Sequence, residues 1–308
     1  MREERSSKPA GRDGRAASRT IVAGVQAFAL YAAYVLGGPW LRSGIIGLLP
    51  NRPWSDSLLD GAMLALVGLA AFLFTRPIFG THGRLRSGAS PMSGLGAASE
   101  ALLLLGLLAL ALRIVDPAYD ERELGGRGLD SPAALLGFLA LLPLGVAAEE
   151  VVFRSCQSRL RAFLRPAPAA VAVALGFAAY HWVPGWTWDR HRIETEIALL
   201  AGGLVLAAAF EKAASVPLLV AVHLTYDNLA VVQAWLNVRG ARGAEAALFL
   251  LWLAVSGTLA WRCRRPERAS RAIGPSPGVS AAAEWMAAAL FGCGLPLAID
   301  WIRLRFRI

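Results

Sequence analysis

Long apolar runs recur along this chain and constrain the fold more than any other feature. A helix of about 20 apolar residues spans a bilayer. The alternation of apolar and polar residues that a transmembrane barrel requires is absent, so the runs are predicted to be helices. The predicted spans are Ile21–Gly38, Leu58–Thr75, Ala98–Val115, Pro132–Phe153, Pro168–Val183, Thr195–Phe210, Val216–Leu236, Ala244–Trp261 and Ala281–Trp301. They predict an all-α, polytopic transmembrane helix bundle of about eight or nine helices, since two of the runs are short.

The composition favours a membrane protein over a protein that binds nucleic acid. Apolar residues make up 56% of the chain and charged residues only 17%, compared with about 25% charged residues in ordinary globular proteins. The formal net charge of +9 comes mostly from arginines in segments beside the apolar runs, where the positive-inside rule explains them. We therefore expect membrane lipids as partners, and no nucleic acid.

Four segments are predicted from the distribution of charge and apolar residues. They are a disordered basic tail (1–20), N-terminal spans (21–131), a core that carries the chemistry (132–236), and C-terminal spans with a basic tail (237–308). A basic start before an apolar run is also typical of a cleaved signal peptide. An uncleaved first helix is favoured, because the run is long for a signal peptide and further spans follow. An inside N-terminus satisfies the positive-inside rule in most loops, but it places the C-terminal arginines outside, and this conflict stays open.

Three charged residues stand inside or at the end of the run Pro132–Phe153. They are Glu149, Glu150 and Arg154. Each charge at the centre of a membrane helix costs about 2.5–3.5 kcal/mol, so such residues indicate a functional site. Glu150 and Arg154 are four residues apart and share a helix face, on which they can pair. Glu149 points about 100° away, which leaves it available for chemistry.

Two histidines lie in later apolar runs, each with a notable side chain four residues away. Phe177 precedes His181, and Asp227 follows His223. Small residues recur every four positions at Ala170, Ala174 and Ala178, and again at Ala198 and Gly202. Such patterns allow close approach of membrane helices. We therefore expect Glu149, His181 and His223 to meet in one buried pocket.

A buried pocket with one carboxylate and two imidazoles suits the activation of water. In one interpretation the carboxylate is a general base, and the histidines polarise a carbonyl or hold an oxyanion. In another, Glu149, His181 and His223 bind a catalytic zinc ion with an open fourth position. A thiol protease that pairs Cys156 with His181 is a third interpretation, although nothing marks the thiol as activated. The residues alone leave the first two open.

The three motifs together resemble those of the CPBP intramembrane proteases. That family includes the CAAX-processing endoprotease Rce1 and bacterial Abi-type relatives. Its pattern of EExxxR, FxxxH and HxxxN or HxxxD is matched by Glu149 to Arg154, Phe177 to His181 and His223 to Asp227. The resemblance covers about residues 132–236.

The resemblance implies a role for each matched residue. Glu149 would activate the hydrolytic water, Glu150 and Arg154 would support the site, and His181 and His223 would complete it. Asp227 stands where many relatives have Asn; an ionised carboxylate cannot donate to an oxyanion, which favours a role in orienting His223. Neither a third histidine in these spans nor an HExxH motif is present, which favours a mechanism without metal, with zinc as the alternative.

The expected function is that of an intramembrane endopeptidase that uses water activated by a glutamate. Its substrate would be a membrane-associated protein or peptide, lipidated or tagged at its C-terminus. The expected location is a bacterial cytoplasmic membrane, and the oligomeric state is left open. The alternative is a non-enzymatic scaffold or immunity protein of the same fold, or a transporter that uses the buried Glu and His residues as a proton relay.

Overall fold

The computed structural model describes residues 22–35, 91–126, 129, 131–181, 190–213, 215–263, 280–294 and 296–298, together with 301 and 305. In these residues the chain is helical and contains no strand. The helices are α1 (Val22–Val35), α2 (Pro91–Val115), α3 (Tyr119–Gly126), α4 (Pro132–Leu160), α5 (Pro166–Tyr180), α6 (Arg190–Ala213), α7 (Val216–Val238), α8 (Arg242–Cys263) and α9 (Ala281–Ala289). The prediction of an all-α, polytopic bundle is confirmed.

Six stretches of the described chain are helical, long and apolar enough to cross a membrane. Five of them correspond to helices α2, α4, α6, α7 and α8, and the sixth runs from Ala281 to Ala298. Helices α1 and α5 are apolar but shorter. The predicted span Leu58–Thr75 and the basic tail at residues 1–20 lie outside the described residues. The acidic segment after α2 contains α3, a short helix that the apolar runs did not indicate.

Helix α4 extends well beyond the predicted end of its span. Its start is fixed by Ser131, whose Oγ accepts a hydrogen bond from Ala134 N at 3.1 Å, and by a proline in the first turn, both of which favour a helix start. The helix continues for seven residues past Phe153 because this last part still buries side chains, among them Gln157 and Leu160. Glu149 and Glu150 therefore lie well inside a 29-residue helix, not at its end.

Two apolar clusters lie on either side of the charged part of α4. The first packs α1 and α9 against α4 and α5 around the fully buried ring of Phe153. The second packs α2, α6, α7 and α8 around Leu105 and Trp252. Most buried residues of both clusters are aliphatic or aromatic. Because lipid tails are as apolar as these side chains, close van der Waals packing, and not removal from water, is the term by which the clusters hold the helices together.

The close approach of α5 to α6 depends on glycine. A Cβ atom built on Gly203 would lie 3.2 Å from Ala174 Cα and 3.3 Å from a ring carbon of Phe177. The pattern of small residues predicts this approach, although the contact is made by Gly203 and not by its neighbour Gly202. Because the backbones lie so close, α6 supports the turn of α5 that carries Phe177.

The C-terminal run differs from the uninterrupted helix expected for Ala281–Trp301. Helix α9 ends at Ala289 and is followed by a π-helical segment, Leu290–Gly294. A Cβ atom on Gly292 would lie only 2.5 Å from Leu175 Cβ on α5. The wider π turn and the missing side chain allow this part of the chain to lie against α5.

Candidate active site

Glu150 is the fully buried centre of a charged network between α4 and α7. Its Oε2 forms an ion pair with Arg154 Nε at 2.9 Å, one helical turn further along α4. Its Oε1 accepts a hydrogen bond from His223 Nδ1–H on α7 at 2.9 Å. The side chains of Glu150 and Arg154 have no solvent exposure. The predicted pairing is present, and the same carboxylate also fixes the imidazole of His223.

Glu149 lies on a more accessible face of α4 and is opposed by His181. Its Oε1 is 3.7 Å from His181 Nε2, and the side chains of His181 and Glu149 are 29% and 13% exposed, respectively. His181 Nδ1–H donates to the carbonyl oxygen of Phe177 at 2.9 Å. A carbonyl only accepts, so Nδ1 carries the proton, and in the neutral ring Nε2 presents its lone pair toward Glu149.

Phe177 separates the two histidines and orients both by packing. Its ring centroid is 4.7 Å from that of His181 and 5.9 Å from that of His223. The ring also packs edge-on against Phe153 at 5.2 Å. The FxxxH spacing thus places an aromatic ring between two imidazoles, and the same residue supplies the carbonyl that sets the tautomer of His181.

Asp227 lies one turn beyond His223 on α7. Its Oδ2 is 3.5 Å from His223 Nε2, so the two ring nitrogens of His223 face two different carboxylates. The structure brings all seven predicted site residues to one place between α4, α5 and α7. It differs from the expected buried pocket in two respects. Glu149 and His181 are partly exposed, and His223 forms its hydrogen bond with Glu150 and not with Glu149.

The zinc hypothesis requires Glu149, His181 and His223 to offer their ligand atoms to one point. Among the described residues, a different set has ligand atoms that all lie within 4.8 Å of one another: Asp116, His191 and Glu194. The hydrogen bond from His223 Nδ1–H to Glu150 also commits one of its nitrogens. In this structure, therefore, the ligand atoms of Glu149, His181 and His223 do not all lie within 4.8 Å of one another.

Comparison with known families gives a match to the part of the chain that carries these residues. Residues 131–229 match the family model described as type II CAAX prenyl endopeptidase Rce1-like. These residues form an Rce1-like segment. The segment begins at the N-cap of α4 and ends within α7, so it includes every residue of the three motifs. No curated protein and no solved structure matches the chain.

The Rce1-like segment supports, in general terms, an intramembrane peptidase of the CAAX-processing type. Together with the six apolar stretches, it indicates an integral membrane protein. The segment covers about a third of the chain, and helices from outside it also pack against the site.

One such contribution comes from α1, whose tyrosines lie outside the three motifs. Tyr31 donates from its hydroxyl to the carbonyl oxygen of Gly176 at 2.8 Å. Tyr34 is fully buried, its ring packs on those of Phe153 and Tyr180, and it lies near enough to Glu149 for an electrostatic interaction. No sequence pattern indicates these contacts, because they join residues more than a hundred positions apart.

A second group that the motifs did not indicate extends the Glu150 network along α4. Arg154 NH1 donates to Gln157 Oε1 at 2.7 Å, and Gln157 Nε2 donates to Glu211 Oε1 on α6 at 3.0 Å. Glu211 Oε2 in turn accepts from Arg161 Nε at 3.2 Å. The spacing of Arg154 and Gln157, three apart on one helix, is the signal that could have found them. The network fixes the guanidinium on which Glu150 depends.

Two further contacts complete the surroundings of the site. Arg192 on α6 is buried and donates from NH2 to the main-chain carbonyl of His181 at 2.9 Å, which holds the end of α5. Cys156 is fully buried, and its Sγ–H donates to the carbonyl of Ala27 on α1 at 3.5 Å. The thiol is therefore directed at α1 and not at His181, and the thiol-protease interpretation loses its geometric basis.

Proposed function

We propose that this protein is an intramembrane endopeptidase in which Glu149 activates the hydrolytic water. The observation that carries the proposal is the difference between two adjacent carboxylates. Glu150 is fully buried and bound to Arg154 and His223, whereas Glu149 is 13% exposed and opposes His181. A general base must reach both water and substrate, and the partial exposure of Glu149 suits this role better than the complete burial of Glu150.

The proposed reaction uses one water molecule that contacts Glu149 and His181 together. Glu149 Oε1 and His181 Nε2 are 3.7 Å apart. One water oxygen can therefore lie within hydrogen-bond distance, about 2.8 Å, of both atoms. The water donates one hydrogen to the carboxylate and one to His181 Nε2, and its oxygen attacks the scissile carbonyl carbon. Glu149 takes the proton and then gives it to the leaving nitrogen, so the amide bond breaks and a carboxylic acid and an amine are released.

The supporting residues keep the two reacting groups in place. Arg154 neutralises the charge of Glu150, which would otherwise repel the developing negative charge next to it. Glu150 and Asp227 fix His223 at its two ring nitrogens. Phe177 and Arg192 fix His181 through its side chain and its main chain, respectively. Pre-organisation of this kind reduces the reorganisation that the reaction requires.

The proposed substrate is a membrane-associated protein or peptide with its scissile bond in or near the bilayer. Two of the three helices that carry the site, α4 and α7, are long and apolar enough to span a membrane, so a lipidated or C-terminally tagged substrate would reach it by lateral diffusion. The CAAX prenyl endopeptidase description of the matched family gives prenylated C-terminal peptides as the first class to test. The proposed location is the cytoplasmic membrane of a bacterium.

The test is cleavage by the purified full-length protein in proteoliposomes. Prenylated CAAX peptides and peptides with apolar C-terminal tags are incubated with the protein, and products are identified by mass spectrometry. We expect one internal cut in a member of either class, and no cut with Glu149→Ala. An exposed helix-surface variant, Leu136→Ala, serves as the matched control because Leu136 is 66% exposed on the same helix. No cleavage of any peptide, or equal cleavage by Glu149→Ala, contradicts the proposal.

A proton-coupled transporter is the second candidate, and one observation favours it. His223 lies between two carboxylates, with Nδ1 2.9 Å from Glu150 Oε1 and Nε2 3.5 Å from Asp227 Oδ2, so a carboxylate, an imidazole and a second carboxylate follow one another. Such a chain is typical of proton relays in membrane proteins. Proton uptake into liposomes that depends on a solute, without proteolysis, would support this function over the peptidase.

A further inference from the structure

A second cluster of potential metal ligands lies outside the proposed active site. Asp116 follows the last residue of α2, and His191 and Glu194 lie in the first turns of α6. One ligand atom from each residue lies within 4.8 Å of the other two. His191 Nδ1 is 3.9 Å from Asp116 Oδ2. We propose that Asp116, His191 and Glu194 bind a divalent transition-metal ion that joins the end of α2 to the start of α6.

The residue types favour a borderline transition metal over calcium or magnesium. One imidazole and two carboxylates form a known set of protein ligands for zinc, and also suit other divalent first-row ions. Calcium and magnesium prefer oxygen ligands alone. Ligand bonds of about 2.0–2.2 Å require the three side chains to close in by about an ångström from their positions in this structure. Rotation about side-chain torsions, without movement of the helices, provides that change.

The surroundings orient two of the three ligands. Ala118 N donates to Asp116 Oδ1 at 3.2 Å, which leaves the other oxygen, Oδ2, directed toward His191. The ring of Tyr119 packs edge-on against the imidazole of His191, with centroids 5.4 Å apart. Asp116 is 7% exposed, so its carboxylate is largely removed from water. Asp116 and His191 are thus partly ordered before an ion binds, which lowers the entropy cost of binding it.

The charges around the cluster predict a competitor for the ion. Arg122 on α3 forms an ion pair with Asp116 Oδ2, and its side chain is 42% exposed. Arg192, between the two ligands of α6, forms an ion pair with Glu196. Arg122 and a metal ion would therefore compete for Oδ2 of Asp116. A metal ion would displace this guanidinium, which can turn outward to solvent.

The cluster is separate from the proposed catalytic residues but adjacent to one of their supports. Asp116 lies outside the Rce1-like segment at residues 131–229. Arg192, whose NH2 donates to the carbonyl of His181, stands between His191 and Glu194 in the chain. An ion held by the cluster would fix the turn of α6 that carries Arg192. Its binding does not depend on peptidase activity, so the two proposals can fail separately.

The experiment measures zinc and cobalt binding to tag-free, full-length protein in detergent. All samples carry Cys293→Ser, because that exposed thiol would also bind zinc. They also carry Glu149→Gln, so that the proposed catalytic site cannot supply its carboxylate. Titration calorimetry gives the stoichiometry and affinity for zinc, and visible absorption of bound cobalt reports the ligand type. Calcium and magnesium serve as comparison ions, and circular dichroism without metal checks the fold of each variant.

We expect one zinc ion per chain and an affinity for calcium that is far lower. His191→Gln should weaken zinc binding by roughly tenfold or more, and Asp116→Asn should act in the same direction. Arg122→Gln should strengthen it by roughly two- to tenfold, since a competing positive charge is removed. This gain cannot arise from misfolding, so it keeps the test meaningful if the ligand variants fold poorly.

Three results would overturn the proposal. The first is the absence of any stoichiometric zinc binding in the parent and in Arg122→Gln. The second is binding that His191→Gln and Asp116→Asn leave unchanged, which would place the ion elsewhere. The third is binding that appears only when Glu149 is restored, which would place the ion at the catalytic residues.

Discussion

His223 Nδ1–H donates to Glu150 Oε1 at 2.9 Å across the interface of α4 and α7, and both side chains are buried. The bond joins the first and third motifs through the carboxylate that also pairs with Arg154. Both oxygens of Glu150 therefore have partners. The adjacent Glu149 instead faces His181, with Oε1 3.7 Å from Nε2. The proposed division between a structural carboxylate, Glu150, and a reactive one, Glu149, predicts how variants of the site should behave.

The extended network of Glu150 predicts an energetic coupling between α4 and α6. Gln157→Glu places a second buried carboxylate about 3.0 Å from Glu211 and should lower both stability and activity. The double variant Gln157→Glu/Glu211→Gln restores the balance of charge and should recover part of both. We expect a coupling of about 1–3 kcal/mol between the two positions. Unfolding in detergent by mixed-micelle titration measures it for the parent, both single variants and the double variant.

The alternative that Gln157 only fills space leads to a different expectation. In that case Gln157→Met, which keeps the volume, would retain the stability and rate of the parent. If the hydrogen bonds of Gln157 matter, the same change leaves the buried guanidinium of Arg154 and the buried carbonyl of Ala207 without this partner, at a cost of about 1–3 kcal/mol. Equal stability of Gln157→Met and the parent would remove the network from the mechanism.

Asp227 is predicted to orient His223 and not to donate to an oxyanion. Because Glu150 already fixes the proton of His223 on Nδ1, an amide at position 227 can replace the carboxylate as a partner of Nε2. Asp227→Asn should therefore retain most of kcat, and Asp227→Ala should lose roughly tenfold or more. Steady-state cleavage of the same peptide by both variants measures the difference. An Ala variant as active as the parent would exclude the orienting role.

Chelation should distinguish a metal ion at the proposed catalytic residues from one held by Asp116, His191 and Glu194. The ligand atoms of Glu149, His181 and His223 do not gather at one point, so EDTA should leave the cleavage rate of pre-bound substrate unchanged. It should lower the thermal stability of the parent, because an ion that binds only the folded state stabilises it. His191→Gln should show no such decrease. Activity that EDTA removes and zinc restores in both proteins would place zinc at the catalytic residues.

The contact between α5 and α6 is predicted to control the position of Phe177. Gly203→Ala introduces a methyl group 3.2 Å from Ala174 Cα and 3.3 Å from the Phe177 ring. Gly202→Ala is the matched control, since its methyl group would meet Leu105 at 3.7 Å, an ordinary contact. Both variants gain the same helix propensity. The first should therefore be less stable than the second by about 1–3 kcal/mol and should cleave more slowly; equal values would show that the approach is not tight.

The sequence predicted the residues of the candidate site more completely than the contacts that hold them in place. Glu149, His181 and His223 were recognisable because a charged or titratable residue inside an apolar run is expensive and conspicuous. The pairing of Glu150 with Arg154 followed from helical spacing alone. These inferences depend on residues within four positions of one another, where the period of a helix fixes geometry.

The remaining contacts depend on which helices become neighbours, and apolar runs carry little information about that. Nothing in the sequence distinguishes Tyr34 of α1 or Arg192 of α6 from their neighbours. Only the packing of the helices places them at the site. His223 bonds to Glu150 and not to Glu149 because adjacent residues of a helix point about 100° apart, and the apolar run does not indicate which of the two faces α7. The length of α4 was underestimated because its last turns bury polar Gln157 and charged Arg154 among other helices.

The proposed mechanism depends above all on which of two adjacent glutamates takes the proton from water. Single-turnover cleavage by Glu149→Gln and Glu150→Gln decides this, with the stability of each variant measured in the same detergent. We predict that Glu149→Gln keeps the stability of the parent and loses roughly a thousandfold in rate. Glu150→Gln should instead lose several kcal/mol of stability, because Arg154 remains buried without its counter-charge. A Glu149→Gln protein that cleaves at the parent rate, or one that fails only because it unfolds, would contradict the mechanism.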